Sequence, residues 1–192
     1  MKKILRIQVF VIILSVLSGC AGNKNAIMWT SPDFNIHQPQ VYTILPFEDR
    51  NAEKYKADYP DAADIVRDAF ETAFLKTRNR IVERRKLQSL LSEKKLALTG
   101  LTEEQGIEIG KMLNTDIVVF GTVKSFYKGS ILGSYTTVGF SVRAVTVSTG
   151  EIVWKGSHTK STTWDYAYDP AAFAEEVADE LVQELILKGD VR

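Results

Sequence analysis

Asp116-Ile-Val-Val-Phe-Gly-Thr-Val-Lys-Ser-Phe-Tyr127, with Thr136 to Val147 and Glu151 to Thr163 behind it, is the stretch that decides the fold. β-branched and aromatic residues recur here with period two, which predicts three strands of an antiparallel meander. Ser148-Thr-Gly-Glu151 joins the second strand to the third, and Gly150 supplies the positive φ that a tight hairpin needs. Val138, Phe140, Val142 and Ala144 fall on one face, with Ser141 and Arg143 on the other, so one side of the sheet is expected to be buried.

Upstream, Val41-Tyr-Thr-Ile-Leu-Pro-Phe47 reads as a buried strand ending at Pro46, followed by a charged loop from Glu48 to Tyr59. After Pro60, the apolar residues Ala62, Ile65, Val66, Ala69, Phe70, Ala73 and Phe74 recur at helical spacing. Arg80 to Arg84 predicts a short strand, and Lys86 to Lys95 a helix with Leu87, Leu90 and Leu91 on one stripe. Thr102-Glu-Glu-Gln105 fits a capping box, and the helix it opens should stop at Asn114. Downstream, Asp169-Pro170 opens a last helix with Phe173, Val177, Leu181 and Leu185 on its inner face. The order β, α, β, α, α, β, β, β, α predicts an α/β domain: a mixed sheet with helices packed on it, over residues 41–192.

At the other end, MKKILRIQVFVIILSVLSGC begins with three basic residues and continues as an apolar run too short for a comfortable bilayer span, the shape of a secretory signal. Leu17-Ser-Gly-Cys20 resembles a lipobox and holds the only cysteine of the chain. Residues 1–19 are therefore expected to be removed and Cys20 lipidated, its acyl chains anchoring the protein to a membrane without a spanning helix. Ala21 stands where an aspartate would favour inner-membrane retention in lipoproteins of this kind, so the outer membrane is expected. Residues 20–40 read as a flexible lipidated tether, with His37 solvated within it.

Composition excludes several chemistries. The 192 residues carry 24 Lys+Arg against 24 Asp+Glu, and removal of residues 1–19 takes away Lys2, Lys3 and Arg6 and no acid, leaving 21 against 24, net −3. Such a body lacks the charge excess that drives nucleic-acid binding. One cysteine and two histidines offer little for a metal site, and phosphate-binding glycine loops, HExxH motifs and nucleophile elbows are absent from the sequence. No cofactor is expected and the protein is expected not to be an enzyme. Ser157 and His158 are neighbours on a strand and should point to opposite faces, while the pairs Glu103-Glu104 and Glu175-Glu176 fit first helical turns. Gly106 and Gly110 suit close helix-to-sheet packing, and Arg78, Arg80, Arg84, Arg85 and Lys86 a solvated rim. Trp164, Tyr166 and Tyr168 alternate beyond the last strand and are the candidate partner-binding residues, with packing against the last helix as the other reading.

Val82-Glu-Arg84, Leu87, Leu90-Leu91, Glu93, Ile109-Gly-Lys-Met-Leu113, Asp116 to Val123, and Val142-Arg-Ala-Val-Thr-Val-Ser-Thr-Gly-Glu-Ile-Val153 together resemble the CsgG family of curli assembly/transport lipoproteins over about residues 41 to 160. They are also similar to the penicillin-binding-protein activator lipoproteins of LpoB type. The resemblance implies a single periplasmic α/β domain held to the outer membrane by its lipid anchor, acting as an accessory or assembly factor in envelope or surface-structure biogenesis or secretion. It implies an envelope protein partner and is compatible with a homo-oligomer. The family includes an oligomeric secretion channel, the alternative function. Each channel subunit there contributes two long hairpins to a barrel, and Lys124–Ser141 and Lys155–Tyr168 are short for strands that need about 9–11 residues per crossing.

Overall fold

A computed structural model describes residues 26–94, 100–130, 134–162 and 168–190. Seven strands form one mixed sheet: β1 (Ile27–Thr30), β2 (Val41–Ile44), β3 (Glu48–Asp49), β4 (Arg80–Ile81), β5 (Ile117–Ser130), β6 (Ser134–Thr146) and β7 (Ile152–Ser161). Their spatial order is β1-β7-β6-β5-β2-β4, with β3 alongside the outer part of β5. The three long strands pair antiparallel as a meander, whereas β2 runs parallel to both β5 and β4. Parallel neighbours require crossovers, and helices α1 (Glu53–Lys56) and α2 (Ala62–Phe74), then α3 (Arg84–Glu93) and α4 (Glu103–Leu113), provide them. The chain closes with α5 (Pro170–Asp190).

Alternation along the strands separates two cores. Ile44, Ile117, Val119, Val123, Phe126, Val138, Phe140, Val142 and Ala144 face α2 and α5, and an aromatic stack of Phe47, Phe70, Phe74 and Trp154 fills the space between. Leu45, Val118 and Val147 point the other way, onto Leu87 and Leu91 of α3 and Ile109 and Leu113 of α4. A bulge between Val123 and Ser125 lets both Val123 and Phe126 reach the larger core despite their odd spacing. α3 and α4 cover only the end of their face nearest β2, and among the described residues no helix lies over the opposite end of that face.

Local signals behave as their chemistry requires. Thr102 accepts from the Gln105 amide while the Gln105 side chain returns a bond to the Thr102 amide, and Asn114 closes α4 in the left-handed region at φ 53°. Gly150 has φ 75° at the β6–β7 turn. Asp169 accepts from the Ala171 amide at 3.1 Å, and Phe173, Val177, Leu181 and Leu185 are all buried.

Three expectations need correction. Residues 27–40, read as tether, belong to the domain: β1 pairs antiparallel with β7, and Phe34 and Ile36 are buried. Four residues are too few to show a period, and the pairing that orders them comes from a strand more than a hundred positions away. His37 within this segment is exposed to solvent, as expected, and pairs with Asp190 at 2.8 Å. The stretch Glu48 to Tyr59, read as loop, contains β3 and α1, both too short to carry a pattern. Glu175 and Glu176 lie beyond the first turn of α5, and Glu176 pairs with Lys160 of β7.

Candidate functional site

The end of the sheet left open by α3 and α4 forms a groove of about 560 Å³. Its floor consists of two rows of side chains running across four strands. In the first, register places Phe120 opposite Arg143, Arg143 opposite Lys155, and Lys155 opposite Trp29. In the second, Thr122 faces Ser141, Ser141 faces Ser157, and Ser157 faces Ile27. These are the outward positions of strands whose alternate residues form the larger core, so the alternation that buries Val142 and Trp154 presents Arg143 and Lys155.

Cations flank aromatic rings at both ends of the first row. The Arg143 guanidinium lies 4.7 Å from the Phe120 ring centroid, and the Lys155 ammonium 5.9 Å from that of Trp29. Phe120 is held from below by Gly106, where a Cβ would stand 2.3 Å from its Cζ. Trp29 remains 44% exposed. Arg143 pairs with Glu103 at 3.5 Å and Arg50 with Glu48 at 2.8 Å, which cancels two charges. Lys124, directed to this face by the bulge, reaches to 3.5 Å from the Ser157 hydroxyl. Among the described residues neither Lys124 nor Lys155 has a carboxylate partner, so this face carries a local positive excess on a chain whose formal charges balance.

A second polar cluster joins β7 to α5 on the helical side. His158 Nε2 is 2.6 Å from Glu180 Oε2, Lys160 bonds both Glu176 and Glu180, and His158 Nδ1 is buried without a hydrogen-bond partner among the described residues. Partial burial pushes the Glu180 carboxyl up, but bonds from Lys160 and His158 outweigh it and hold the group below the ordinary carboxylate value. Ser157 stands on the other face of the strand, at the groove, so it and His158 do not form a nucleophile–base pair. Among the described residues no group of His, Cys, Asp and Glu side chains is arranged to hold a metal ion.

Cys20, Trp164 and Tyr166 lie outside the described residues. Tyr168 stacks on Phe173 with ring centroids 6.0 Å apart, and its carbonyl accepts from the Thr136 hydroxyl, so this ring packs on the last helix while half its surface stays exposed. In the basic cluster, Arg84 bridges Asp64 and Asp68 of α2. The groove rows escape a reading of the sequence because their members are contributed by β1, β5, β6 and β7; the outward position of Ser141 and Arg143 was the one local signal.

Residues 40–168 match the family profile described as "Curli production assembly/transport component CsgG". Among solved structures, a single-residue variant of the PelC dodecamer from Paraburkholderia phytofirmans aligns with TM-score 0.55 at 14% identity, covering 84% of this chain and 97% of that one. Lipoprotein GNA1162 from Neisseria meningitidis aligns with TM-score 0.54 at 13% identity, covering 77% and 98%. The LpoB C-terminal domain from Escherichia coli is more distant, with TM-score 0.44 at 16% identity over 79% and 93%. No curated protein matches the sequence. At these identities the structural likenesses concern the fold.

Proposed function

From the premise that the chain belongs to the CsgG family, we propose that it is a non-catalytic outer-membrane lipoprotein, anchored through lipidated Cys20 with its domain in the periplasm, acting as an accessory or assembly factor in envelope or surface-structure biogenesis. The family description, an assembly/transport component, supports that class. The lipobox and the unique cysteine support the anchor. A fold shared with a protein solved as a dodecamer supports a homo-oligomer as its assembled form. Trp164, Tyr166 and the exposed edge of Tyr168 are the candidate contacts for an envelope protein partner.

The observation that favours an accessory factor over a channel subunit is the reach of the β5–β6 hairpin. Its strands pair out to Ser130 and Ser134, yet the last buried core residue of β5 is Phe126, so only Tyr127–Ser130 extend past the domain before the turn. A membrane crossing needs about 9–11 residues per strand. Between β7 and α5 lie residues 162–169, too few for a second hairpin of that size. Barrel strands with open edges in lipid would leave backbone groups unpaired.

The test is reconstitution of the purified lipidated protein in planar bilayers, alongside fatty-acid labelling of Cys20→Ser. The expected result is no conductance, outer-membrane fractionation of the native protein, and loss of the labelled band in the variant. Reproducible large conductance steps that vanish when residues 124–141 are shortened would replace this reading with the channel subunit. Continued labelling of the serine variant would remove the anchor.

A further inference from the structure

We infer that the open sheet face is a binding site for an acidic oligosaccharide: Lys155 and Lys124 meet its carboxylates, Thr122, Ser141 and Ser157 its hydroxyls, and Trp29 the C–H face of a sugar ring. This goes beyond the accessory role and does not depend on the lipid anchor.

Charge gives the sign of the ligand. Glu48 and Glu103 are matched by Arg50 and Arg143, which leaves Lys124 and Lys155 as a local excess on a chain with 24 basic and 24 acidic residues. An anion held here gains two charge-assisted contacts that the fold itself does not satisfy. The excess is nevertheless small for a polyphosphate, whose binding draws on many neutralised charges.

Floor chemistry gives the class. β5, β6 and β7 are each paired on both sides, so the floor between them offers an incoming peptide backbone nothing to pair with, and only β1, at the rim, is a sheet edge. It offers instead three hydroxyls on adjacent strands, spaced by the roughly 4.8 Å between strands, each able to donate and to accept. A ligand rich in hydroxyls matches such a row. The exposed ring of Trp29 supplies an electron-rich face for the polarised C–H groups of a sugar, beside the lysine that would meet its carboxylate. Size agrees: about 560 Å³ falls within the roughly 300–1,000 Å³ of small-ligand sites, which suits a few sugar units better than a protein interface.

The experiment titrates the full lipidated protein in detergent with hexagalacturonate as the carboxylated probe, using cellohexaose as neutral control and hexaglutamate as anionic peptide control, by calorimetry. Saturable, salt-sensitive binding of hexagalacturonate is expected, with cellohexaose and hexaglutamate each about tenfold weaker or undetectable. Lys155→Glu and Trp29→Ala should each weaken binding about tenfold while leaving melting temperature and oligomeric state unchanged. A Lys86→Glu variant, on α3 away from the groove, should bind as the parent does. No binding, or binding that both groove variants leave intact, overturns the proposal. Hexaglutamate binding as tightly as hexagalacturonate would make the face a peptide surface, and a change of oligomeric state in the groove variants would make it a subunit contact; either result also overturns it.

Discussion

Gly110 of α4 rests on Val118 of β5 with no room for a methyl group between them: a Cβ there would lie 2.6 Å from Val118 Cγ2 and the same distance from Val147 Cγ2. Both valines are buried, so neither can retreat. Gly110→Ala should therefore destabilise the domain by up to about 2 kcal/mol, an overpacking cost of about 1–3 kcal/mol less the gain of about 1 kcal/mol in helix propensity. Gly106→Ala is expected to cost less, because it meets the tip of the Phe120 ring, which borders the open groove. Urea denaturation of the two variants checks the order.

Truncation should expose the role of the segment before β2. A chain beginning at residue 26 keeps β1, Phe34 and Ile36, whereas one beginning at residue 41 loses two buried apolar side chains worth roughly 1.5–3 kcal/mol each and uncovers β7 as a sheet edge. The longer form should unfold cooperatively, and the shorter should melt lower or aggregate. Equal melting temperatures would show that the segment contributes nothing.

Asn79 should be the clasp that holds this segment. Its side chain accepts from the Gln40 amide at 3.0 Å and donates to the Ile36 carbonyl at 2.9 Å, both partly or wholly shielded from water. Asn79→Ala would leave those groups unpaired and should cost about 1–3 kcal/mol. In the form beginning at residue 41, which lacks both partners, the same substitution should cost less, and a double-mutant comparison by thermal melting measures the difference.

The β7–α5 cluster should shape the acid limb of stability. A carboxyl held below its ordinary value of 4.5 in the folded state, as Glu180 is, contributes stability that is present above that value and lost as pH falls through the folded pKa. Burial is the largest single influence on Lys160 and pulls it down, but its bonds to Glu176 and Glu180 together outweigh this and lift it above 10.5, so it contributes below that value and loses its contribution as pH rises through the raised pKa. Glu71 runs opposite to Glu180, because burial raises it, so its protonation on acidification favours the fold. Glu180→Gln should flatten the melting-temperature profile between about pH 5 and 3, with a modest loss at neutrality because the group is partly solvated.

Much of this protein follows from the order of its residues alone, for a physical reason that can be named at each place. Periodicity is a local property: Val138, Phe140, Val142 and Ala144 must share a face in any strand, and Phe173, Val177, Leu181 and Leu185 must share one in any helix. Caps are local too, which is why Thr102, Gln105, Asn114 and Asp169 are legible where they stand. Tertiary structure decided the rest. β1 is ordered by hydrogen bonds to β7, across more than a hundred residues of chain, and nothing within Ile-Met-Trp-Thr announces it. Trp29 then joins Lys155, Arg143 and Phe120 in one row because four strands from distant parts of the chain come into register, with α4 reaching the row only at Phe120 and Arg143. A side chain's direction is written in its own strand; its neighbours across a sheet are set by which strands meet, and the groove exists only at that level.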